Sequence, residues 1–244
     1  MKPIKRSRLR RDHVLVIGAP RSGTTLLATM IGSHSDVGMV NEDVDVRAMG
    51  RVLGRPFTGV KLCVPNQIRL EKKSHFGSQL LKKLGLIAEA PKAYFSITEY
   101  LSFPNLKVIG IIRDGNDSVH SMMVRGKSKL KKAARRWGEA IETIHIVKQR
   151  YGDRVLVVSF DDLVLEPEAT IRATCEFLGL SFEDRMLRGH KLNPYYPQAG
   201  LDQEKAHRSD DQRPDLNLEK IVPLACQLYR EMADSASKAG LVVN

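Results

Sequence analysis

Two glycines, Gly18 and Gly23, bracket a short run in which Arg21 is the one cation and Ser22 supplies a hydroxyl, with Thr24 and Thr25 directly after. Val14 to Ile17 before the run are unbroken apolar residues, and Leu26, Leu27, Met30 and Ile31 after it recur at helical spacing. A buried strand, a tight turn and a helix in that order aim backbone N–H groups and the positive end of a helix dipole at one point, which makes an anion site suited to phosphate. A loop that serves a nucleoside triphosphate needs Gly-x-x-x-x-Gly-Lys-Ser/Thr, and here Thr24 stands where that Lys belongs. The loop can grip a phosphate but lacks the group that reaches a γ-phosphate, so kinase and ATPase chemistry is disfavoured. Further along, Asn41-Glu42-Asp43 ends an apolar stretch, and sites in open α/β sheets lie at the carboxyl ends of strands.

The elements that must hold these residues can be read from the same string. Val37–Val40, Thr58–Leu62, Lys107–Ile112 and Arg154–Val158 read as further short strands, with helix-like segments between them. That alternation predicts an α/β fold with a largely parallel sheet. At 244 residues and 42% apolar, the chain is expected to form one domain over residues 13–244 behind a basic leader, residues 1–12. Within it, residues 67–103 are helical in flavour and fall where an acceptor-binding insertion would, and residues 190–214 read as a long loop able to act as a lid.

The formal net charge is +11, and residues 1–11 carry six cations and no acid. The body keeps a modest positive excess, which fits a highly anionic ligand. A cationic run from Arg125 to Arg136 lacks aromatic interleaving and any nucleic-acid-binding motif, so nucleic acid is not expected as a partner. Cys63, Cys175 and Cys226 are odd in number and widely spaced, which makes neither a disulfide framework nor a metal site. With no apolar run long enough to span a bilayer, the expectation is a soluble, cytoplasmic protein.

Pro20-Arg21-Ser22-Gly23-Thr24-Thr25-Leu26 resembles the 5′-phosphosulfate-binding loop of sulfotransferases that use 3′-phosphoadenosine 5′-phosphosulfate (PAPS), in the Arg-containing version of the tyrosylprotein and many bacterial enzymes. Arg113, with Ser121 eight residues on, is similar to the second half of that signature, which clamps the 3′-phosphate. An Arg fork and a hydroxyl both suit phosphate oxygens. The segment Asp161-Asp162-Leu163-Val164, then Pro167 and Phe177-Leu178-Gly179, also matches, except that Phe160 replaces a Tyr. The resemblance runs from His13 to about Gly189.

The resemblance implies a three-layer α/β sandwich with a central, mostly parallel sheet of about five strands, P-loop NTPase-like. It implies PAPS as sulfuryl donor, adenosine 3′,5′-bisphosphate (PAP) as product, and no metal. Arg21, Ser22, Gly23, Thr24 and Thr25 would hold the 5′ end, Arg113 and Ser121 the 3′-phosphate, and Arg208 would close over the nucleotide. Glu42, 21 positions beyond Arg21, would be the general base, provided burial or neighbours raise its pKa. Lys61, with Pro65 shortly after, would face the transferring group. The acceptor is left open among glycan, lipid, peptide and small alcohol or phenol. Two rivals stand beside this reading: a small-molecule or nucleotide kinase with Asp161 on magnesium, and a non-enzymatic anion- or nucleic-acid-binding module using the basic tail.

Overall fold

The computed structural model describes residues 12–42, 54–71, 95–103, 105–192 and 214–240. Five parallel strands form the main sheet: β1 (Asp12–Gly18), β2 (Val37–Asn41), β3 (Phe57–Cys63), β6 (Leu106–Ile112) and β7 (Val155–Ser159), in the order β2-β3-β1-β6-β7. These are the five strands expected from the apolar runs. A separate two-stranded ribbon, β4 (Ile68–Arg69) and β5 (Phe95–Ser96), was not anticipated, because two-residue strands have no periodicity to read.

The strand pattern explains the layering. Successive side chains point to opposite faces, so a strand buried on both sides is apolar throughout. In β1, Leu15 and Ile17 enter one core and Val14 and Val16 the other. The first core packs under α3 (Gly115–Gly126), α4 (Leu130–Tyr151) and α7 (Pro223–Gly240), with Trp137 of α4 fully buried at its centre. The second packs under α1 (Thr24–Ile31), α5 (Phe160–Leu165) and α6 (Pro167–Leu178). Gly110 of β6 lets α4 approach closely, since a Cβ there would lie 2.7 Å from the Ile144 side chain.

Helix boundaries follow their capping chemistry. The Asp114 side chain accepts the Asp117 N–H and starts α3, and Lys127 (φ 47°) ends it in the left-handed region. The expected helix ending Phe-Leu-Gly is α6, closed by Gly179 at φ 77°. The final helix opens on a proline: residues Leu218–Lys220 form a 3-10 turn, and α7 starts at Pro223, whose missing N–H is tolerated only at a first turn. Of the predicted insertion, the described part is the β4–β5 ribbon and the short helix α2 (Ile97–Leu101), opened by a Ser96–Glu99 capping box. Residues 72–94, the basic leader through residue 11, and most of the predicted lid (193–213) lie outside the described residues. Among those described, no helix is long and apolar enough to cross a membrane, and all three cysteines are free and buried.

Candidate active site

The loop between β1 and α1 has a shape dictated by its own hydrogen bonds. Ser22 N–H and Oγ–H both donate to Ala19 O, at 3.2 and 2.8 Å. Arg21 (φ 73°) and Gly23 (φ 90°), on either side of Ser22, are both left-handed, an arrangement that turns successive N–H groups to one side. Gly23 is the N-cap of α1 with no side chain to cap it, and the first turn carries no acid. Among the described residues, no side-chain cap or first-turn acid therefore compensates the orphan N–H groups and the helix dipole. A Cβ on Gly23 would sit 2.5 Å from the Phe160 ring. Gly23→Ala combines that clash with a disfavoured φ, and the expected outcome is a loss of about 1–3 kcal/mol, read as a lower urea midpoint at unchanged slope.

Arg113 leaves the carboxyl end of β6 and turns back over this loop. Its Nη1 donates to Arg21 O (3.2 Å), its Nη2 to Asp117 Oδ2 (3.3 Å), and its plane lies on the Phe160 ring, 4.3 Å from the centroid. Arg113 is 8% exposed, and its Nε has no hydrogen-bond partner among the described residues. Phe160, the departure from the expected Tyr, is thus a platform touching both Arg113 and the space above Gly23. Arg21 Nε donates to Ser121 Oγ at 3.2 Å. The two cradles read separately in the sequence adjoin: Arg21 bonds one member of the Arg113–Ser121 pair and accepts from the other.

A third cation, at the start of the cationic run, converges here. Arg125 lies four residues beyond Ser121 on the same face of α3. Burial lowers the Arg21 pKa first, and the charges of Arg125 and Arg113 lower it further. Among the described residues, three guanidinium groups with Asp117 as the one carboxylate between them gather at an uncapped helix start and form a cradle suited to an anion.

Across the first turn of α1 lies a second cluster. Thr24 Oγ1 contacts Cys63 Sγ at 3.8 Å. The β2–β3 ladder extends one residue past β2, Glu42 N–H donating to Lys61 O at 2.8 Å, and Glu42 (φ 54°) then turns its carboxylate inward. The Lys61 ammonium, 1% exposed, ion-pairs with Glu42 Oε1. Cys63 Sγ lies 3.5 Å from the same oxygen, and Gln67 Nε2 donates to Oε2 at 3.2 Å. Burial pushes the Glu42 carboxyl up, but the hydrogen bond and charge of Lys61, with the Cys63 contact, outweigh it and hold the pKa below its ordinary value. This corrects the expectation of an upward shift. It follows from a strand cation that is buried, not solvated.

The structure therefore brings together Arg21, Arg113 and Ser121, and beside them Glu42 and Lys61. Thr25 is half-buried in the first turn of α1, and both polar groups of Ser22 are used within the loop. Arg208 lies outside the described residues, and Lys191 is exposed. Gln67 and Cys63 were not singled out, and nothing in their spacing signals a site.

A family model described as the sulfotransferase family matches residues 13–184. Protein-tyrosine sulfotransferase 1 of Danio rerio is 30% identical over 223 residues, covering 82% of this chain and 61% of that protein. The Drosophila melanogaster protein-tyrosine sulfotransferase is 28% identical over 254 residues, covering 91% of this chain and 50% of its own length. The chain thus spans between half and about three-fifths of these relatives. Among solved structures, the sulfotransferase domain of the Synechococcus PCC 7002 olefin synthase superposes with a TM-score of 0.62 at 16% identity, covering 91% of this chain and 94% of that one. Mouse sulfotransferase SULT7A1, complexed with PAP, gives 0.54 at 13% identity over 93% and 90%. These structural likenesses show a shared fold, and the family match over residues 13–184 establishes that the chain belongs to the sulfotransferase family.

Proposed function

We propose that this protein transfers a sulfuryl group from PAPS to a hydroxyl of a peptide acceptor, with residues 13–244 acting as one domain. The observation that carries the reading is the contiguous Arg21–Ser121–Arg113 cradle at the uncapped start of α1, joined to the Glu42–Lys61 pair through the Thr24–Cys63 contact. The cradle fits a nucleotide with phosphate at both ends: N–H groups of the loop and Arg21 for the 5′ side, and Arg113, Ser121 and Arg125 for the 3′-phosphate. The donor supplies an activated sulfuryl group when bound. Arg21 and Lys61 neutralise charge that builds on the bridging and equatorial oxygens, and Glu42 takes the acceptor proton.

A carboxylate with a depressed pKa is a weak base, and that bears on the acceptor. A phenol, with a pKa of about 10, demands far less of it than an aliphatic alcohol. Forming the S–O bond acidifies the attacking oxygen further, so a weak base suffices for tyrosine. The names of the relatives point the same way. A groove of about 470 Å³ beside Pro65 is lined by Arg69, Lys129, Lys131, Lys132, Arg135 and Arg136 against a single acid, Glu139, which Arg69 already engages. This charge supports a peptide with acidic residues near the tyrosine. The three buried free cysteines support a reducing, cytoplasmic setting.

The test is a transfer assay with radiolabelled PAPS on matched tyrosyl peptides. Labelling should be greatest for acidic flanks, lower for neutral ones, and absent when Phe replaces Tyr. PAP should raise the melting temperature and ATP–Mg²⁺ should not. Stabilisation by ATP–Mg²⁺ alone would favour the kinase reading.

A further inference from the structure

The turn after β3 carries a side chain that the mechanism above does not use. Gln67 is tied twice to Cys63: its backbone N–H donates to Cys63 O at 2.9 Å, and its side-chain Oε1 accepts the Cys63 N–H at 2.9 Å. That second bond fixes the orientation of the amide. With Oε1 on an N–H donor, the NH₂ must face the other way, and there Nε2 donates to Glu42 Oε2 at 3.2 Å. The reversed amide would set a carbonyl against a carboxylate and an NH₂ against an N–H, so only one orientation satisfies both ends.

The two oxygens of Glu42 are consequently unequal. Oε1 receives the Lys61 ammonium and the Cys63 thiol, two donors on one atom. Among the described residues Oε2 receives Gln67 alone, which leaves one of its lone pairs open to an acceptor hydroxyl. A carboxylate on a flexible two-bond stem would otherwise rotate about its ammonium partner. The Gln67 contact, on the far oxygen, is the one that sets the plane.

We propose that Gln67 is a positioning residue for sulfuryl transfer, locking the Glu42 carboxylate so that Oε2 is the atom that takes the acceptor proton. The proposal rests on the reading of Glu42 as base. In the step it describes, the acceptor O–H bond breaks and its proton goes to Oε2. The freed pair forms the new S–O bond, and the bridging S–O bond breaks with its pair leaving on the bisphosphate.

Gln67→Glu tests this directly, because the new carboxylate keeps an acceptor for the Cys63 N–H while losing the donor to Glu42. Gln67→Met, which removes both polar ends at similar volume, is the uncharged companion. We expect kcat to fall about tenfold or more in both, with the PAP dissociation constant unchanged. The groups facing Glu42 among the described residues are Lys61 and Cys63 of β3 and Gln67 itself. Placing a second negative charge there shifts the acid limb of kcat/KM to higher pH in Gln67→Glu, and by less in Gln67→Met. In a Glu42→Gln background neither change should lower the rate further.

Wild-type kcat and an unmoved acid limb in both variants, with Glu42→Gln impaired, would overturn the role of Gln67 while leaving Glu42 as base. Loss of PAP binding in both would make Gln67 a structural brace and overturn it as well. Full activity of Glu42→Gln would remove the base and the proposal together.

Discussion

Glu42→Gln is expected to lower kcat by about 10²- to 10⁴-fold, the range in which positioned general bases act. The isosteric amide keeps Oε1 for the Lys61 ammonium and removes the charge that accepts the proton. PAP affinity should stay close to wild type, because the cradle residues Arg21, Arg113 and Ser121 make their contacts without Glu42. The wild-type pH profile carries a matching sign. Burial raises the Glu42 carboxyl and Lys61 more than reverses it, so the group is ionised in the free protein to a pH below the usual carboxylate range. The acid limb of kcat/KM should lie correspondingly low, and Lys61→Met, which removes the dominant opposing influence, should move that limb upward. Rate at saturating PAPS and acceptor, with calorimetry for PAP, separates the two quantities.

Arg21→Ala is the second large effect. Arg21 occupies the left-handed region at φ 73°, and Ala bears the same Cβ there, so the backbone cost is already present in the wild type. What disappears is a guanidinium crowded by Arg125 and Arg113. The unliganded variant should therefore melt no lower than wild type, while its kcat falls by about 10²- to 10³-fold, as for loss of one preorganised donor at developing charge. The melting shift produced by PAP should shrink as well. A variant that is as stable as wild type yet far slower places Arg21 in the chemistry. Arg21→Lys should recover little, since a point charge cannot bridge Ser121 and a phosphate as the planar fork does.

The sheet was legible because its strands are buried on both faces, and such strands are apolar runs whatever their partners. Residues 14–17 and 107–112 could hardly be read otherwise. The phosphate loop was legible for a related reason: Gly18 and Gly23 are demanded by close approach, and Arg21 by charge. Lys61 was harder. A lysine in a strand is ordinarily solvated, and its burial becomes apparent only when Glu42, nineteen residues earlier, is seen turned across the ladder onto it. Gln67 had no local signal at all, because its role depends on a turn closing back on Cys63. Arg125 was visible as the first charge of the cationic run, and its spacing of one helical turn from Ser121 is what puts it at the cradle. The functional atoms that escaped the sequence are those whose partners lie across strands, while those fixed by loop stereochemistry or helical spacing were within reach.

The central claim is that one adenosine compound spans the Arg21 loop and the Arg113–Ser121 pair through its two phosphate ends. Calorimetric titration of PAP and of 5′-AMP against wild type and Arg113→Ala tests it most directly. Wild type should prefer PAP by about 10- to 100-fold, the scale of lost charged hydrogen bonds. Arg113→Ala should lose most of that preference, Ser121 and Arg125 keeping the remainder, with its affinity for 5′-AMP close to wild type. If Arg113→Ala keeps the full preference for PAP, the 3′-phosphate is held elsewhere and the nucleotide does not bridge the two cradles.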